Sequence, residues 1–401
     1  MQKRFVERGH ECSAAVREDL GEALTTWFHE RFPSYKISLL LDRQSSRVFA
    51  AYAELNPALG LGWLRRAVES ASPEELLAFD AETDGSGFWR GRRQVVWLCD
   101  HLAQFPDHFW QCEAILFRLG LHETEEKTSN NSRGVWQRFF RPVFSWTAIP
   151  FEERIRHLVR MIGGAEVGVQ PMVMGAALEA IKEPSGKTIP PKVVGGRLAP
   201  EEWRPKTHQD IRRARAEAAS SIIDAVKRLP ADRVEVPRTT IIENLGIFLS
   251  LGCLEQLRNW LSPTELDEDT LRWLRIKIDS HLDFLRLRAT GSDWLDVHPT
   301  DSQRTKASAA LVGVEAWRDS LKPEGLESRI REVTGRERWE HEGSFEKDRE
   351  EQTAAIYEHL AAEVVKSPEV MDGLREWFDS DKARSAFELG SALAPKGLRH
   401  M

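Results

Sequence analysis

Cys99, His101, His108 and Cys112 fall within one short stretch, and all four are residue types that ligate zinc. His108 and Cys112 are four apart and share a helical face, whereas Cys99 and His101 are two apart and point to roughly opposite sides. The spacing matches neither a CxxC nor an HxxxH pair, so buried thiols beside ordinary histidines are the plainer expectation. A metal-dependent enzyme built on this set, with His108 and Cys112 as ligands, is the alternative. Gly186-Lys187-Thr188 ends like a phosphate-binding loop, but Ile181 stands where that motif needs its first glycine, and Ile189-Pro190-Pro191 follows in place of a helix. His281 with Asp279 and Asp283, and His157 with Glu153, have the spacing of acid–base pairs. Each set lies on an amphipathic stretch, where solvated charge pairs are the commoner outcome. Arg212-Arg213-x-Arg215 has the charge to meet phosphates, with Asp210 and Glu217 close by to offset it. The sequence holds no GxSxG, HExxH or GxGxxG string, and nothing in it calls for a cofactor.

The elements that position these residues read as helices. Val16, Leu20, Leu24, Trp27 and Phe28 make one face of a helix over 14–32. A second helix over 47–55 closes at Asn56-Pro57, and Pro57 opens a third. Ser72-Pro73-Glu74-Glu75, Ser262-Pro263-Thr264-Glu265 and Ser367-Pro368-Glu369 each read as a helix start with serine as the cap. Residues 92–105 and 106–121 form a helical hairpin turning at Pro106, with Val95, Leu98, Leu102, Phe109, Ile115, Leu116 and Leu119 as its seam. Further helices are expected over 135–143, 151–162, 167–181, 208–229, 238–260, 266–287, 303–321, 344–365, 370–378 and 382–393. Between 183 and 206 lie five prolines and three glycines, which no helix sustains.

These readings give an all-α protein, an irregular helical-repeat array of the α-solenoid type, similar in rhythm to HEAT and TPR proteins. Its expected parts are a helical lobe over 1–183, a Pro/Gly-rich linker or loop over 184–206, and a second helical lobe over 207–401. The 14 Trp, against 3 Tyr, fit as fillers between packed helices. A net charge of -7 argues against a chain-wide nucleic-acid footprint. No apolar run reaches the roughly 18 residues of a membrane span, and the charged start has no apolar leader, so the expected location is the cytoplasm.

Several blocks, in order, resemble a known family. They are Gly91-Arg92-Arg93-Gln94-Val95-Val96-Trp97, Ala114-Ile115-Leu116-Phe117-Arg118-Leu119 and Ser129-Asn130-Asn131-Ser132-Arg133-Gly134-Val135, then Phe139-Phe140-Arg141-Pro142 with Thr147-Ala148-Ile149-Pro150-Phe151-Glu152-Glu153-Arg154. Pro200-Glu201-Glu202-Trp203-Arg204-Pro205-Lys206-Thr207 and Lys382-Ala383-Arg384-Ser385-Ala386-Phe387-Glu388-Leu389-Gly390 extend the set. Together they resemble the helical C-terminal region of large bacterial STAND-like NTPases, several of them suspected or known anti-phage defence proteins. In that family the region follows an NTPase core and often an effector such as a nuclease or a sirtuin-like domain. No phosphate-binding loop precedes Leu76 here, so the resemblance implies the role of the helical part alone: recognising a trigger or holding a switch closed. It also implies a fragment, a truncated gene product, or a subunit acting beside a separate enzyme.

The expected function is a non-catalytic scaffold or sensor that binds a protein partner. Asn130, Asn131, Arg133, Arg212 and Arg215 are the candidate partner-facing residues. Asn130, Asn131 and Ser132 also have a local use, since their short side chains can cap the helix that follows. A nucleic-acid-binding helical protein using Arg212 to Arg215 is the remaining alternative.

Overall fold

Asp42 opens a helix with its carboxylate, which accepts from the backbone N–H groups of Gln44 and Ser45 at 2.9 Å each. In the computed structural model, residues 14–79, 91–123, 130–186, 192–290, 300–321, 325–335, 346–380 and 383–396 are described. The charged N-terminus, part of the polar loop after Glu123, Lys187-Thr188, the gap at 291–299, the charged stretch 336–343 and Lys382 lie outside them. The described residues are all-α apart from one small hairpin. They form two compact units, Met1–Pro237 and Arg238–Met401.

The first unit holds α1 (Ala14–Arg31), α2 (Arg43–Leu55), α3 (Pro57–Ser70), α4 (Pro73–Ala78), α5 (Gly91–Leu102), α6 (Pro106–Gly120) and α7 (Ser132–Arg138). It continues through α8 (Phe151–Gly164), α9 (Gln170–Ile181), the antiparallel pair β1 (Val193–Val194) and β2 (Arg197–Leu198), and α10 (His208–Lys227). Phe28 of α1 and Phe32 just beyond its end bury their rings against Phe49 and Tyr52 of α2 and Trp63 of α3, with Phe28 stacked on Tyr52 at 4.2 Å. Such rings bury 150–250 Å² apiece, so this cluster is a large share of the local hydrophobic term. The α5–α6 hairpin turns at Pro106 as expected. From there α6 packs on α3 and α7, α7 on α9, and both α8 and α9 on α10. Ser72 heads α4 with a full capping box: it accepts from Glu75 N–H, and the Glu75 carboxylate accepts from Ser72 N–H.

The expected linker is part of the first unit. Its Gly195-Gly196 pair takes φ of 55° and 78°, the left-handed values of a type I′ turn, and the flanking residues pair Val193 with Leu198 and Val194 with Arg197. Val194 is buried, and Gly195 lies so close to the Glu54 carbonyl that any side chain there would collide with it. The units part at Pro237, inside α11 (Ala231–Glu243), not within 184–206.

The second unit contains α12 (Leu245–Ser250), α13 (Leu254–Trp260), α14 (Glu268–Thr290), α15 (Asp301–Ser320), α16 (Leu326–Thr334), α17 (Glu346–Lys366), α18 (Val370–Gly373), α19 (Arg375–Phe378) and α20 (Ala386–Leu393). The single helix expected over 238–260 is three pieces, the last break falling at Gly252 with φ of 90°. Ser262 does not start a helix. That role passes to Asp267, which accepts from Thr270 N–H at 2.9 Å and from its hydroxyl at 2.7 Å. Long α14 and α15 lie side by side, while Ile330, Tyr357, Leu360, Val364, Leu374, Trp377 and Leu389 form a core around α16, α17 and α20.

Candidate interaction site

The four zinc-competent residues separate into two pairs. Cys99 and Cys112 face each other inside the α5–α6 hairpin, fully buried. Burial, then the hydrogen bond with Cys99, pushes the Cys112 thiol well above its ordinary range, as expected of a protonated core thiol. His101 and His108 turn outward. His101 lies 3.5 Å from Glu54 through Nδ1 and 3.4 Å from Lys192 through Nε2, while Arg197 donates to His108 Nε2 at 3.2 Å. Alternating positions on one helix, as the two-residue spacing of Cys99 and His101 required, send these side chains apart. Among the described residues, no group of three or more His, Cys, Asp or Glu side chains is placed to hold one metal ion.

Arg215, expected to face a partner, is instead buried. Its Nε donates to the Ile181 carbonyl at 2.8 Å, and Nη1 reaches Glu183. Arg212 and Arg213 stay exposed, the latter bound to Asp210 at 2.7 Å. A three-arginine phosphate patch therefore does not form. Asn131 is also buried and caps α7, accepting from Gly134 N–H at 2.6 Å. Asn130 remains exposed, and Arg133 is half-buried with Nε donating to Gly120 O at 3.4 Å.

Two blocks of the family resemblance meet in the interior. Arg92 of α5 donates to the carbonyls of Leu76, His122 and Leu119 and to the Ser132 hydroxyl, with Glu123 3.9 Å away. Glu123 in turn accepts from Ser132 N–H at 2.8 Å and from its hydroxyl. Arg154 of α8 ties a third block together by donating to the carbonyls of Ile149 (3.0 Å), Arg141 (2.7 Å) and Phe139. Desolvation lowers its pKa to about 9, so it keeps its charge at neutral pH. These guanidiniums satisfy the ends of helices and the bends between them.

The acid–base pair expected at His157 has a different partner from Glu153. His157 Nε2 faces buried Glu113 at 3.3 Å, and Glu113 also accepts from Trp136 Nε1–H at 2.8 Å, with the Trp110 ring 4.9 Å from the imidazole. No nucleophile joins this group in the hydrogen bonds of the described residues, and its geometry is that of a packing contact between α6, α7 and α8. His281 is buried beside Phe284 and Gly246, and Asp279 is bound by Arg318 at 3.0 Å.

The surface feature that sequence reasoning missed is the outer face of the β1–β2 hairpin. Alternation along its strands sends Val194 and Arg197 toward the body and Val193 and Leu198 away from it, at 67% and 69% exposure. The hairpin is firmly seated: Arg197 lies over the Phe105 ring at 4.8 Å, and Ala199 N–H donates to Lys192 O at 2.8 Å. Just beyond it, Glu202 accepts from the N–H groups of Ser145 (2.6 Å) and Trp146 (3.1 Å), and Trp203 N–H donates to Thr147 O. Phe144 and Trp146 adopt left-handed backbone at φ of 61° and 59°, which helps to form this carboxylate-binding nest. A Val-Val-Gly-Gly-Arg-Leu string was the available signal for the hairpin. No protein-family model, curated protein or solved structure matches the chain.

Proposed function

We propose that this chain is a non-catalytic helical-repeat scaffold that recognises a protein partner, acting as the sensing or regulatory part of a bacterial cytoplasmic defence system beside a separate NTPase or effector. The resemblance to the helical region of STAND-like NTPases supplies the setting. The observation that carries the reading is the division of labour between inside and surface. Cys99, Cys112, Arg154 and Arg215 are engaged in internal packing, while an apolar pair, Val193 and Leu198, is held out to solvent. No helix of the described residues is long and apolar enough to cross a membrane.

The test is recovery of tagged chain from bacteria with and without phage challenge, followed by measurement of mass in solution for each recovered complex. A protein partner at fixed stoichiometry is expected. Stoichiometric zinc lost in His108→Ala and Cys112→Ser variants would overturn the reading in favour of a metalloenzyme. Salt-dependent binding to DNA or RNA, weakened by Arg212→Ala, would overturn it in favour of a nucleic-acid binder.

A further inference from the structure

We infer that the β1–β2 hairpin is an acid-released clasp: protons taken up by His101 and His108 turn two of its contacts with the helices from attractive to repulsive. The inference concerns the fold itself and does not depend on the identity of a partner.

The hairpin sits where α2 ends and where α5 turns into α6. Its cations meet imidazoles there. Lys192 Nζ is 3.4 Å from His101 Nε2, and Arg197 Nη2 is 3.2 Å from His108 Nε2. An ammonium or a guanidinium can only donate, so each contact needs a ring nitrogen with a free lone pair. Both contacts therefore exist only with neutral imidazoles. In His101 the remaining ring proton is then on Nδ1, which faces Glu54 at 3.5 Å. A proton added to either ring goes to the nitrogen that accepts from the cation. The acceptor becomes a donor aimed at a positive charge.

The surrounding charges do not cancel that change. His101 is faced by Glu54 of α2 and Lys192 of the hairpin, and His108 by Asp107 of its own helix and Arg197 of the hairpin. With a neutral ring each site holds one charge of each sign. With a protonated ring one carboxylate must serve two cations. Both imidazoles are half-buried, so protons reach them from solvent. At His108, desolvation and then the Arg197 charge outweigh Asp107 and hold the pKa below its ordinary value. The seated hairpin thus favours the neutral ring. Its contribution is fully present above about pH 6.5 and is lost as pH falls below that.

The Arg197 stack on Phe105 uses the same cation that a charged His108 repels, so the two contacts weaken together. Burial of Val194 and the approach of Gly195 to the Glu54 carbonyl do not titrate. Acid therefore loosens 192–199 locally and leaves the helices beneath in place.

Amide exchange of the full chain, corrected for the intrinsic effect of pH on exchange, tests this. Protection over 193–199, including the Ala199 N–H that donates to Lys192 O, should fall about tenfold between about pH 7.5 and pH 5.5. Protection over 109–119 should hold across the same range. His101→Gln with His108→Gln keeps an acceptor in each place without a titrating ring and should abolish the fall. In Arg197→Gln the His108 imidazole, followed by NMR, should titrate at higher pH than in the parent. Far-UV circular dichroism at pH 7.5 checks that each variant is folded. No fall over 193–199, an equal fall over 109–119, a fall that persists in the double histidine variant, or an unmoved His108 titration in Arg197→Gln would each overturn the inference.

Discussion

Arg154 in the first unit and Arg275 in the second are both buried, yet they are neutralised in different ways. Arg154 donates to three main-chain carbonyls, and Arg92 and Arg215 likewise reach carbonyls at helix ends. Arg275 is paired with buried Glu332 at 2.8 Å, Arg318 with buried Asp279 at 3.0 Å, and Arg329 with Glu363 through two hydrogen bonds. Carbonyl dipoles do not titrate, whereas carboxylates and the buried His281 of the second unit do. Arg154 is therefore held by fixed dipoles, whereas Arg275, which also donates to the Leu321 carbonyl at 3.0 Å, depends on a carboxylate that acid can neutralise; in the first unit Arg215 has such a partner too, in Glu183.

The largest effect is expected at Arg154. Arg154→Leu leaves three carbonyls without their donor, and hydrogen exchange over 139–164 should report a loss of roughly 4 kcal/mol. Peptides from α14 and α15 should keep their protection; equal loss in both units would erase the contrast. Next comes acid. Burial lowers His281 to about 4 from 6.5, so its neutral form is the one folding favours. Its contribution is fully present above pH 6.5 and is lost as pH falls toward 4, on the order of 3 kcal/mol in total. The Arg329 hydrogen bonds hold Glu363 below its ordinary pKa, which adds a loss of the same sign at lower pH. Exchange over 245–290 should accelerate between pH 6.5 and 4.5 more than exchange over 106–181, and His281→Gln should flatten that difference.

A smaller effect is expected at Glu332→Gln. It keeps the shape and an acceptor but removes the charge opposite Arg275, for about 2 kcal/mol in denaturant unfolding of the second unit. Smallest is Asn131→Ala, which removes the α7 cap and should lower the first unit's stability by about 1 kcal/mol. A cost near zero would mean that Ser132 and Glu123 take over the helix end.

Local features were the legible ones. The Pro106 turn, the Ser72 cap and the run of α8 follow from residues within a turn of one another. Arg215 had a readable signal too, because it lies on the Ile211, Ala218, Ala219 and Ile222 stripe of α10, three or four residues from its nearest members. The expectation weighed its charge and overlooked its place on that face. Gly195-Gly196 was counted as a helix breaker, when the same two residues between Val194 and Arg197 also specify a tight hairpin. Glu202 was beyond local reasoning. Its partners lie 56 and 57 residues earlier, and no spacing rule links them. The same holds for the meeting of Arg92 with Ser132, 40 residues apart.

The left-handed pair Phe144 and Trp146 bears on the order in which the first unit assembles. Each residue resists that backbone by roughly 1–2 kcal/mol in isolation, and the carboxylate that holds them in place arrives from beyond the hairpin. The bend can lock only after that long loop has closed, so it belongs to the native side of the folding barrier. Glu202→Gln is expected to leave the refolding rate nearly unchanged and to raise the unfolding rate. The segment that anchors the hairpin would then act as the timer of the first unit, setting how long its native state lasts.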